Sequence, residues 1–142
     1  MTKHLLFLFA SLFLVAGTVH AQSASLRADI PFEFVVGNTI MPARAYTIQP
    51  SNLDGSMVEL WSPDIKNGIL LMVCTCASDR NPEQQHESKL VFQVSNGQYF
   101  LWQIWTEGYD AGRQLTIKHP RTQEAKLAPP RTFVVAAAIG KA

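Results

Sequence analysis

LVFQVSNGQYFLWQIW, residues Leu90 to Trp105, is the stretch on which the reading of this chain turns. Two apolar, β-branched and aromatic runs flank Asn96-Gly97, the pair favoured in a two-residue type I′ turn because both central positions need φ > 0. The stretch is expected to form a β-hairpin in which Ser95 faces Gln98, Val94 faces Tyr99, Phe92 faces Leu101 and Val91 faces Trp102. Opposed residues share a face. One face then carries Leu90, Phe92, Val94, Tyr99, Leu101, Gln103 and Trp105, and reads as core. The other carries Lys89, Val91, Gln93, Phe100, Trp102 and Ile104, is apolar along the second strand, and needs some cover. Tyr99, Phe100, Trp102 and Trp105 suit a platform that stacks on sugar or lipid groups. They suit an ordinary β core equally, since each aromatic buries about 150–250 Å² there.

Before the hairpin, prolines at 31, 42, 50 and 63, with Gly37, Gly55 and Gly68 among them, leave no room for a long helix. The pieces between them are strand-like. Ala28 to Val36 alternates Ile30, Phe32, Phe34 and Val36 against Asp29 and Glu33, and Pro31 places its start at a sheet edge. Tyr46 to Gln49 and Met57 to Trp61 flank a turn, NLDGS, at 52–56. Ile69 to Thr75 (ILLMVCT) is nearly unbroken in its apolarity, which predicts burial on both faces. Asp79 to Ser88 reads as an exposed polar loop.

After the hairpin comes the loop TEGYDAGRQ. A short strand over Leu115 to Lys118, one helical turn between Pro120 and Leu127, and an extended passage at Pro129-Pro130 follow. Thr132 to Ile139 is expected as a last strand covering the second face of the hairpin. The sum is an all-β fold, a small antiparallel barrel or sandwich of about seven strands with little helix.

The N-terminus reads differently. Lys3 precedes an uncharged run from Leu5 to Ala16, and small and polar residues end at Val19-His20-Ala21. A basic start, a short apolar run and a small-x-small ending are the parts of a secretory signal peptide, so residues 1–21 are expected to be removed and 22–142 to form a single domain. The apolar run is shorter than the roughly 20 residues a membrane span takes, so no transmembrane segment is expected after cleavage. The destination is periplasmic or extracellular.

Without Lys3 the chain has 11 basic and 11 acidic residues. That balance gives no sign of a nucleic-acid partner, which calls for a dense basic surface. The charges are unevenly spread, with six basic residues against Glu124 alone from Arg113 onward. Such an end attracts anionic envelope polymers, or simply balances an acidic neighbour.

Chemistry-bearing residues are sparse. Cys74 and Cys76 are disulfide or redox candidates, since exported cysteines are usually oxidised. Alternate strand positions put both sulfurs on one face at roughly 6.5–7 Å between Cα atoms, at or beyond the usual disulfide reach. A bridge would need a bend and would be strained and reducible. Thiolates also suit Cu(I), and Cys packs equally as a small hydrophobe. His86 and His119 stand in no metal-binding spacing, so no metal and no cofactor is expected. There is no G-x-S-x-G elbow, and no catalytic residue is assigned. Glu107, Asp110 and Arg113 form the densest polar cluster beside the hairpin. With Phe100 and Trp102 they are the ligand-binding candidates, and loops on a rigid sheet often carry function.

Two blocks, IPFEFVVGNTIMPARAYTI (Ile30 to Ile48) and KLVFQVSNGQYFLWQIWTEGYDAGRQL (Lys89 to Leu115), carry a resemblance. They resemble a group of small secreted bacterial proteins of unknown function that share IPFxFxVGxxxxPAGxYxV and LVFxxxGxxYFLxQIWxxGxxxGRxL. The resemblance implies secretion and supplies no catalytic positions. The chain departs from the pattern at Arg44, where the group has Gly.

Three functions remain open on the sequence. The first is a non-enzymatic binding or structural module, an envelope component or a receptor for a small apolar or polar ligand. The second is a redox or copper-handling protein using Cys74 and Cys76. The third is a hydrolase with residues dispersed around Glu107, Asp110 and His119. Export itself predicts a chain beginning at Gln22 in the envelope or medium. Intact-mass measurement checks it, and a cell-retained chain still carrying Met1 would contradict it.

Overall fold

The structure, a computed structural model, describes residues 24–66, 68–75, 87–109, 111–116 and 131–140. Outside these lie the expected leader, most of the stretch expected as a polar loop at 79–88, Cys76, Asp110, Lys118, His119, the helical turn expected between Pro120 and Leu127, and Pro129-Pro130. The described residues contain no helix and eleven strands. These are β1 (Ser25–Ile30), β2 (Phe34–Val36), β3 (Thr39–Met41), β4 (Arg44–Pro50), β5 (Met57–Trp61), β6 (Ile69–Thr75), β7 (Lys89–Ser95), β8 (Gln98–Trp105), β9 (Arg113–Leu115), β10 (Arg131–Ala136) and β11 (Ala138–Gly140).

The fold is all-β and mostly antiparallel. The strands follow the order β10-β7-β8-β9-β6-β5-β4-β1-β11, and the β2–β3 hairpin joins β8 through a parallel pairing. The path bends at β6. Residues Ile69–Met72 pair with β5, and Val73–Thr75 pair with β9. The two end strands are consecutive in the chain, parted only at Ala137, whose N–H donates to the Ser88 carbonyl at 2.9 Å. A single core lies inside, with Ile30, Phe34, Val58, Leu60, Leu90, Phe92, Leu101 and Ile104 almost wholly buried.

Eleven strands stand where about seven were expected, because two long runs are broken and Thr39–Met41, not expected as a strand, pairs with β2 as β3. Ala28 to Val36 is two strands, β1 and β2. Pro31 has no N–H to give, and the ladder stops there. Nor is β1 at an edge, since it pairs with both β4 and β11. The last apolar run divides at Ala137 into β10 and β11. Its first part pairs edge to edge with β7 rather than covering the hairpin face. The short strand beyond the hairpin begins at Arg113 and not at Leu115.

The hairpin turn is as expected, with Asn96 at φ 50° and Gly97 at φ 75°. The register holds from Ser95–Gln98 to Phe92–Leu101, and then slips. Val91 faces Gln103, not Trp102. Trp102 is the extra residue of a β-bulge, and everything beyond it changes sides. Ile104 enters the core at 1 % exposure, while Gln103 and Trp105 move to the opposite face. There the Trp105 indole N–H donates to Gln103 Oε1 at 3.2 Å. Gln103 Nε2 donates to Gln114 Oε1 at 3.3 Å, and Lys89 Nζ lies 5.4 Å from the Trp105 ring centre.

β6 corrects another expectation. Leu71 and Val73 are buried, but Leu70 and Met72 are 56 % and 66 % exposed. An antiparallel sheet can leave one face to water, and here Leu70 lies opposite Glu59 and Met72 opposite Met57 on that outer face. Ser88, at the end of the supposed exposed loop, is buried instead. Its hydroxyl accepts the Glu107 N–H at 3.0 Å.

Where β1 breaks, Phe32 begins an aromatic chain. It stacks on Tyr99 at 4.0 Å and meets Phe92 and Phe133 edge-on at 5.1 and 5.4 Å. Phe34 continues it to Phe92 and Tyr46, each at 5.4 Å. Such pairs add about 0.5–1.5 kcal/mol beyond burial. The Tyr46 hydroxyl donates to the Pro42 carbonyl at 2.8 Å and ties down the corner before β4. Burial pushes its pKa up, against the smaller opposing pull of Arg44. Asn96, in the β7–β8 turn, is the single non-glycine residue of positive φ among the described residues, so Arg44 passes this corner without left-handed backbone. Its guanidinium reaches Asp64 at 3.4 Å.

The one-sided burial of β6 makes a direct test. Leu71→Ala should cost about 2–5 kcal/mol by urea denaturation, as buried leucines do, and Leu70→Ala about 0.5 kcal/mol or less.

Candidate functional site

Two loops meet at one end of the sheet. The first, residues 51–56 between β4 and β5, is the NLDGS turn, and its polar side chains fold it. Asn52 Oδ1 accepts the Met57 N–H at 3.0 Å, and Asn52 Nδ2 donates to Ser56 Oγ at 2.8 Å. Asp54 Oδ1 accepts from the Ser56 N–H at 3.0 Å and from its hydroxyl at 2.8 Å. These bonds to the charged form hold the Asp54 carboxyl below its ordinary pKa, so it is ionised at neutral pH. Gly55 closes the turn at φ 71°.

The second loop joins β8 to β9. Thr106 is buried, its carbonyl accepts the Tyr109 N–H at 3.2 Å, and Gly108 turns the chain at φ 84°. Arg113 opens β9 and leans back over both loops. Its guanidinium carbon lies 5.8 Å from the Tyr109 ring centre, and a Cβ built on Gly55 would stand 3.3 Å from Nη2. A cation over an aromatic face is a stabilising arrangement, and here the glycine leaves room for it.

The loops are brought together by β6. Its Val73 N–H donates to the Ser56 carbonyl at 2.9 Å, while Val73 to Thr75 pair with β9, where Thr75 faces Arg113. Two clefts open on either side of the resulting wall. One, of about 610 Å³, is lined by Pro50, Ser51, Leu53 and Thr106. The other, of about 530 Å³, is lined by Ser56, Val73, Cys74 and Thr75. Asp54, Gly55, Tyr109 and Arg113 line both.

Of the sequence candidates, Arg113 is at the centre of this arrangement. Phe100 is buried and Trp102 half-buried, and neither lines these two clefts; Glu107 is exposed and outside both. Asp110 lies outside the described residues. Cys74 is exposed and lines the second cleft, while Cys76 lies outside the described residues. No group of three or more His, Cys, Asp or Glu that could hold a metal occurs among the described residues. No helix among them is long and apolar enough to cross a membrane.

Sequence reasoning missed Asp54, Gly55 and Tyr109 as cleft residues. Asp-Gly at 54–55 and the glycine-rich TEGYDAGR were visible as turns. Nothing in either stretch says that strand pairing places them side by side. The chain matches no protein-family model, no curated protein and no solved structure.

Gly55→Ala tests the packing of the wall. A Cβ at positive φ is strained, and this one also presses on Arg113. The expected outcome is a loss of about 1 kcal/mol or more in denaturant midpoint analysis, with displaced Arg113 side-chain NMR signals.

Proposed function

We propose that the protein is exported and acts in the periplasm or medium as a non-enzymatic binding module, with its ligand seated in the paired clefts beside Arg113. The observation that carries this reading is the wall between the clefts. There a guanidinium, a half-exposed tyrosine and an ionised carboxylate are held on loops fixed by the sheet. Pockets that bind small molecules combine apolar lining with a few placed polar groups, and loops on a rigid scaffold are where such groups collect. The signal-peptide pattern at residues 1–21 and the resemblance to secreted bacterial proteins support the export half of the proposal.

A ¹⁵N NMR screen of envelope glycans, peptides and lipid headgroups tests it. Shifts should concentrate at Gly55, Tyr109 and Arg113. Shifts centred instead on the outer face at Leu70 and Met72, or turnover of any compound in the screen, would overturn it.

A further inference from the structure

We propose that the paired clefts take an acidic saccharide, a sugar ring bearing a carboxylate, with Arg113 at the carboxylate and Tyr109 against the ring. This rests on the reading that the clefts are the ligand site, and it adds the ligand's chemical class.

The argument begins with Arg113. Among the described residues no carboxylate lies within ion-pair distance of it, and its observed contact is with the Tyr109 ring, beside the space that Gly55 leaves open. A guanidinium presents a planar fork of donors, which matches a carboxylate in two parallel hydrogen bonds. The ring contact does not consume that fork.

Asp54 narrows the class. Ser56 occupies Oδ1, and among the described residues no hydrogen bond reaches Oδ2. A simple anion approaching Arg113 meets this second, negative charge, since Asp54 lines the same two clefts. A ligand that is anionic at one point and rich in hydroxyls elsewhere satisfies both signs, because its hydroxyls donate to Asp54. Tyr109 is 54 % exposed and supplies a flat surface for the C–H face of a ring. Pro50 and Leu53 extend the apolar lining on one side, and the exposed Ser51 and Thr75 add hydroxyl partners at opposite ends. Each cleft is in the range of about 300–1,000 Å³ usual for a small-molecule site, so the pair suits more than one ring of a chain.

The test uses the protein isolated from its own envelope or medium fraction, titrated by calorimetry and NMR. The probes are trigalacturonate, the neutral trigalactose and inorganic phosphate. Trigalacturonate should bind, move the Gly55, Tyr109 and Arg113 signals, and weaken as salt is raised and screens the charge. Trigalactose should bind at least about tenfold more weakly, the loss expected when hydrogen bonds to a charged group are missing. Arg113→Gln and Tyr109→Ala should each weaken trigalacturonate, and Tyr109→Ala, in an exposed loop, should leave the urea midpoint nearly unchanged.

Equal binding of the two sugars at the same residues would overturn the acidic class and leave the clefts as the ligand site. Phosphate binding as tightly as trigalacturonate would reduce the site to a simple anion site and overturn the saccharide. No shift at those residues with millimolar trigalacturonate would overturn the proposal outright. A different ligand mapping away from the clefts would bring down the functional reading beneath it.

Discussion

One extra residue in β8 organises much of this fold. Trp102 has no partner of its own on β7, so the strand before it and the strand after it show opposite faces to the core. Before the bulge, β8 pairs on its far edge with β2 at Tyr99 and Phe100. After it, the same edge pairs with β9 at Gln103 and Ile104. A regular strand would have put Gln103 opposite Leu90, where Ile104 now sits, and would have turned Ile104 outward. The bulge thus lets one strand serve two partners, and β9 in turn carries Arg113.

Packing on the inner side is fixed by aromatic rings from distant segments. Phe32, released from the ladder at Pro31, sits among Phe92, Tyr99 and Phe133, so the break in β1, the hairpin and the edge strand β10 meet at one side chain. The outer face of β5 and β6 is treated differently. Leu70 and Met72 stand in water beside Glu59, which keeps β6 buried on one face only. Eleven short strands therefore wrap a single core in a sheet that does not close on itself, with that outer face left to water.

The clefts depend on the same pairing. Neither the 51–56 loop nor the 106–112 loop makes a site alone. The first spends its polar groups on its own geometry, with Asn52, Asp54 and Ser56 bonded to one another. The second contributes a tyrosine and leads into an arginine. Their meeting depends on β6, whose Val73 bonds Ser56 with its backbone and whose Thr75, two residues later, pairs with Arg113 of β9.

By itself the sequence determined what is local. Asn96-Gly97 fixed the hairpin turn, since few residue pairs accept two positive φ angles. Prolines and glycines excluded long helices, and β-branched and aromatic runs marked the strands. Arg113, which lines both clefts, was legible as a candidate because a loop dense in polar groups beside an aromatic strand is unusual. Only the tertiary structure decided the rest. The bulge at Trp102 follows from the demands of three neighbouring strands, which no short window of sequence contains. Whether an apolar run such as ILLMVCT is covered on one face or two depends on what lies across it. Asp54 and Arg113 face the same clefts because hydrogen bonds between distant strands set them side by side.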